Sequence, residues 1–177
     1  KDDLFCDLTV VKIKNYNRES IYSLPIKPSP NLPNDKSINF YPSLCLFEGT
    51  NVSVGRGTSE QFTIYGSPFL NNKIYTYTFI PKPNSGSNNP KNQDEICFGE
   101  QLKEKSDFKK IELKYLINAY KHSSSKDQFF NSFFIKLSGT KDLKRQIINN
   151  LTEEQIRLTW EEDLKYFENI RSKYLFY

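Results

Sequence analysis

Arg56 sits between Gly55 and Gly57, at the end of a run that begins at Glu48 and holds little besides small, hydroxylated and amide residues. A guanidinium placed between two glycines can form a bidentate pair with a carboxylate or a phosphate. The glycines let the backbone take positive φ or approach a ligand closely. Asn31, Thr50, Asn51, Ser53 and Thr58 are donors and acceptors of the kind that read sugar hydroxyls and acetamido groups. The competing reading is structural. Arg56 would pair with Glu48 or Glu60, Glu48 would orient the loop, and the Asn, Ser and Thr side chains would close turns on their own backbone. A glycosidase needs two carboxyl groups facing each other across the scissile bond. Glu48 is a candidate for one, and Glu60, Glu95 and Glu100 have no evident claim to be its partner. A phosphate loop is excluded because no Lys follows Gly57, and a dinucleotide fingerprint because no third glycine follows at the required place.

Other chemistries find less support. His122 is the only histidine and precedes Ser123-Ser124-Ser125, so it reads as a solvent-facing residue at a helix end rather than part of a triad. Cys6, Cys45 and Cys97 are odd in number, widely spaced and without a CxxC. They read as buried free thiols, with one disulfide as the alternative, and no metal set or cofactor follows from them. The 25 basic and 21 acidic residues are interleaved, which describes a solvated mixed surface and not a nucleic-acid footprint. No apolar run approaches the roughly 20 residues of a membrane span. The chain opens Lys1-Asp2-Asp3 and contains no Met, which suggests a piece of a longer protein.

The elements that must hold the Glu48–Thr58 run read as strands first and helices later, an α+β class with a small mixed or antiparallel sheet and a helical last third. Residues 1–177 read as one domain. Asp7 to Lys14 is β-branched and strand-like. Pro25, Pro28, Pro30 and Pro33 then deny helix. Ser37 to Phe47 suits a short helix capped by Ser37. Phe62–Tyr65, Ile74–Ile80 and Asp94–Leu102 suit strands, the last broken at Gly99, with Pro81–Asn92 a surface loop. Leu113, Leu116, Ile117 and Tyr120 have helical spacing. Ser125–Gln128 and Thr152–Gln155 each have the form of a capping box. A short helix around Leu143, Ile147 and Ile148 lies between them. From the second box one long helix should run with Ile156, Trp160, Leu164, Phe167, Ile170 and Tyr174 on one stripe. With 14 Phe and 11 Tyr, the core should be aromatic rather than aliphatic.

Ser29-Pro30-Asn31-Leu32-Pro33, the stretch Tyr41 to Ser53 and Gly55-Arg56-Gly57-Thr58 resemble the signature of bacterial exo-β-N-acetylmuramidases of the NamZ type, long catalogued as a domain of unknown function. Gly66-Ser67-Pro68, Phe79-Ile80-Pro81, Cys97-Phe98-Gly99, Leu137-Ser138-Gly139, Trp160 and the ending Arg171 to Tyr177 continue the match. Gln61 in place of the usual Pro, and Ser138 in place of the usual Ala, are departures outside the Glu48–Thr58 segment. The resemblance implies the C-terminal half of a two-domain hydrolase. A Rossmann-like domain would precede it, carry the catalytic carboxylate and share the cleft. The substrate implied is peptidoglycan, from which terminal N-acetylmuramic acid is released at the non-reducing end; this half alone would be inactive. Arg56 would then meet the lactyl carboxylate, with Asn51 or Asn31 reading the acetamide. The substrate implies a bacterial cell-envelope location, periplasmic or secreted, with the cytoplasm as the alternative. The rival reading is a non-catalytic cell-wall glycan-binding module using the same residues.

Overall fold

The computed structural model describes residues 6–17, 19–103 and 110–175. Lys1-Asp2-Asp3 and Phe176-Tyr177, singled out above, lie outside them. Helix α1 spans Asp35–Leu44 and runs directly into a 3-10 turn, Cys45–Gly49. Three short strands follow: β1 Ile64–Ser67, β2 Tyr77–Phe79 and β3 Cys97–Gln101. They form an antiparallel sheet in the order β1-β3-β2. Helices α2 Lys114–Lys121, α3 Phe134–Ser138, α4 Asp142–Ile148, α5 Glu153–Leu158 and α6 Glu161–Arg171 complete the fold. The α+β class expected from the sequence is what forms.

The core is rich in Phe and Tyr, but it is not aromatic in place of aliphatic as the composition suggested: Leu44, Val52, Leu116, Ile147 and Ile156 are as deeply buried as the rings. Phe40, Phe47, Phe62, Phe129 and Phe134 are almost wholly buried, and the Phe47 ring stacks on Tyr65 at 4.9 Å. Strand β3 continues through Gly99 instead of breaking there. A Cβ on Gly99 would stand 1.9 Å from the Tyr65 carbonyl oxygen, so the glycine permits the β1–β3 approach.

Four local expectations are corrected. Asp7–Lys14 is not a strand: it finds no ladder partner among the described residues and lies exposed, because a single strand without a sheet has no stability of its own. The α1 cap is Asn34, not Ser37; the Asn34 side chain accepts from the Ser37 backbone N–H at 2.9 Å, and Ser37 returns the bond as the third residue of the box. No helix starts at Ser125. The backbone at Phe129–Asn131 instead pairs with the Glu48 loop, through Asn51 N–H to Phe129 O at 2.9 Å and Asn131 N–H to Gly49 O at 3.0 Å. The long last helix is broken. Thr159 and Trp160 donate back only three residues, at 3.1 and 3.0 Å, and the Thr159 hydroxyl is tied to Gln146, so α5 and α6 are separate. Trp160 packs on the core, whereas α6 buries no residue.

Candidate functional site

Glu48 projects from the 3-10 turn that ends α1. The turn is seated on α3: a Cβ on Gly49 would meet Phe134 Cα at 2.5 Å, so the backbones touch there. Arg56 is held by Gly55 and Gly57, whose φ angles of 76° and 81° are left-handed. The positive-φ conformation expected from the two glycines is present. Arg56 Nε and Nη2 donate to Glu48 Oε1 at 2.8 and 2.5 Å. The guanidinium carbon stands 5.2 Å from the centroid of Phe62, which adds a cation–π contact. Both side chains reach solvent, at 35% exposure for Arg56 and 24% for Glu48. Together with Val52, Ser53, Val54 and Lys91 they line a cavity of about 170 Å³. That is smaller than a complete ligand pocket, which is typically about 300–1,000 Å³, so the cavity suits one wall of a cleft.

The other candidate residues are employed differently. The Thr50 hydroxyl is buried; it donates to Phe47 O at 2.8 Å and accepts from Val52 N–H at 3.0 Å. Thr58 donates to Gly55 O at 2.7 Å and accepts from Glu60 N–H at 3.0 Å. Both therefore shape the loop that carries the ion pair. Ser53 lines the cavity, but its backbone pairs with Gly66 and its Oγ accepts from Gly55 N–H at 3.3 Å. Asn31 lies apart from the pair, buried, with Nδ2 donating to Gly86 O at 2.8 Å. The Asn51 carboxamide is buried and makes no hydrogen bond among the described residues. Glu60 is not the partner of Arg56; it accepts from Tyr77 and Gln101. The Tyr77 hydroxyl is pushed up to about 12, chiefly by that bond to Glu60.

Residues outside the run bear on it too. His122 is half-buried at the end of α2, edge-on to Tyr75, and not solvent-facing. The three cysteines are free, and only Cys97 is buried; Cys45 is half-buried and Cys6 exposed. Burial and, next, the Glu48 charge push the Cys45 thiol up, which makes it a poor nucleophile. Sequence reasoning missed Lys91. Its ammonium enters the Glu48 loop from the β2–β3 connection, and nothing local distinguishes it from the other lysines.

A family model described as "Exo-beta-N-acetylmuramidase NamZ, C-terminal" matches residues 39–177. The chain belongs to that family. It is 33% identical over 97% of its length to the peptidoglycan β-N-acetylmuramidase NamZ of Bacillus subtilis, of which it covers 46%. A crystal structure of a DUF1343 family protein from Bacteroides fragilis superposes with a TM-score of 0.90 at 43% identity, covering 97% of this chain and 49% of that one. A second B. fragilis DUF1343 structure, at 19% identity and a TM-score of 0.63, shares the fold. The NamZ-type chain described here thus spans about half the length of the relatives it matches.

Proposed function

We propose that this domain supplies the substrate-binding wall of a peptidoglycan exo-β-N-acetylmuramidase that releases N-acetylmuramic acid from non-reducing ends. The observation that carries the reading is the half-exposed Arg56, aimed by Glu48 at a small cavity in a NamZ-type domain. Muramic acid differs from glucosamine by a lactyl ether bearing a carboxylate. Two of the Arg56 nitrogens are spent on Glu48, which fixes the plane of the guanidinium. Its remaining N–H groups are available to a ligand carboxylate, the fork geometry that arginine presents best. The catalytic carboxylate belongs to a companion domain that closes the cleft, and this half alone is inactive. The reading carries with it a cell-envelope location.

The test is Arg56→Ala in the two-domain enzyme, assayed on chromogenic β-N-acetylmuramide and β-N-acetylglucosaminide. Loss of one charge-assisted bond should lower kcat/KM on the muramide by about 10- to 100-fold and spare the glucosaminide. An unchanged preference between the two would end the assignment of Arg56.

A further inference from the structure

Lys91 places a cation inside a backbone cage. Its Nζ stands 2.5 Å from Thr50 O, 2.9 Å from Phe47 O, 3.2 Å from Val52 O and 3.4 Å from Glu48 O. Three N–H donors are thus shared among four carbonyls. These carbonyls converge because the chain leaves the 3-10 turn Cys45–Gly49 and doubles back; Phe47 O also accepts from the Thr50 N–H and hydroxyl, whereas Thr50 O and Val52 O have Lys91 as their one hydrogen-bond donor among the described residues. Converging oxygens repel one another, and buried carbonyls without a donor are costly. A small cation in their midst offsets part of both penalties, against the cost of its own burial.

The lysine is delivered from far along the chain. The β2–β3 connection is fastened to the Arg56 loop by Lys82 N–H to Gly57 O at 2.9 Å and by Asn92 Nδ2 to Asn51 O at 3.1 Å. Pro90 closes over Gly57, where a Cβ would meet the ring at 2.7 Å. Such fastening exceeds what a connecting loop needs.

We propose that Lys91 is a positioning residue: its tethered ammonium fills a monovalent-cation cage built by Phe47, Glu48, Thr50 and Val52, and thereby sets Glu48 and Arg56 at the cavity. The cavity then holds two cations, Arg56 and Lys91, against one carboxylate, Glu48. That balance favours an anionic ligand. The link to ligand binding rests on the muramic acid reading above; the cage does not.

The experiment uses the two-domain enzyme and its Lys91→Ala variant, with potassium, ammonium, methylammonium or tetramethylammonium chloride at constant ionic strength. Lys91→Ala should raise KM for the muramide more than it lowers kcat, by about tenfold or more. Ammonium, methylammonium or potassium should restore KM and raise the variant's melting temperature; tetramethylammonium, too large for the cage, and the wild type should show no such effect. Lys91→Met, which fills the space without a charge, should not be rescued. Equal melting curves of Lys91→Ala in all four salts would overturn the cage. Restored melting without restored KM would overturn the positioning role. If wild type fails to cleave the muramide, the functional reading falls, while the melting curves still report on the cage. Should both variants fail to fold, reductive methylation of the native wild type decides: Lys91 should be the slowest lysine to react, and rapid labelling would overturn the proposal.

Discussion

Glu48, Arg56 and Lys91 are the residues whose charges face one another across the cavity, and the titration of Lys91 has a definite sign. Burial pushes Lys91 down to about 8; Glu48 opposes this and Arg56 adds to it. The folded value lies below the unfolded one, so between pH 8 and 10 the unfolded chain holds more protons on this group. Folding stability should therefore rise with pH across that window, by at most about 3 kcal/mol. The carbonyl cage favours the charged form and makes the rise smaller. The window closes near pH 10. Burial raises the hydroxyls of Tyr65 and Tyr75, so their stabilising contributions are lost as pH climbs further. Denaturant unfolding of wild type and Lys91→Met at a series of pH values measures this; parallel curves from pH 8 to 10 would remove Lys91 as the cause. Binding should run the other way, with KM for an anionic ligand rising above pH 8 as the cation is lost. A buried charge that costs stability yet serves binding is the trade expected at a functional site.

Short elements depend on single contacts, which makes their contributions measurable. Asn34 caps α1, and Thr152 caps α5 with a box closed by Gln155. Asn34→Ala and Thr152→Ala should each lower stability by about 1 kcal/mol in denaturant melts. Gly99→Ala should do far more. Its Cβ would overlap the Tyr65 carbonyl and split β1 from β3, so soluble folded protein should be lost altogether. Features written in neighbouring residues were legible beforehand. The Thr152 box, the left-handed glycines around Arg56 and the amphipathic α2 all follow from local spacing, and Glu48 was one of two partners open to Arg56. Features decided by distant partners were not legible. Ser125–Gln128 has the letters of a cap, but Phe129 and Phe130 are drawn together against Tyr120 and the Glu48 loop, which no helix could satisfy. Lys91 belongs to the same class, since its partners lie 39 to 44 residues away.

An unspent apolar surface lies along α6. Leu164, Phe167 and Ile170 are 54%, 57% and 38% exposed, and Tyr174 beyond the helix is 71% exposed. They form the last part of the stripe anticipated from the sequence, yet nothing among the described residues covers it. Leu8, Val11 and Ile13 are also more than two-thirds exposed, in a strand-like segment without a sheet. An amphipathic helix with a solvated apolar face gains little from packing and calls for a partner. The relatives supply a reason to name one: this chain accounts for 46% and 49% of their lengths. We expect the companion domain to cover α6 and the segment before α1, which would bring the Arg56 wall to bear on the catalytic carboxylate. Phe167→Asp separates this from a face that is merely solvated. In the two-domain enzyme it should split one unfolding transition into two and lower muramidase activity. In residues 1–177 alone it should change stability by less than about 0.5 kcal/mol, as surface substitutions do. Equal losses in the short and long chains would place the covering contact within this domain instead. No effect in either would leave α6 solvent-facing and move the interdomain contact elsewhere.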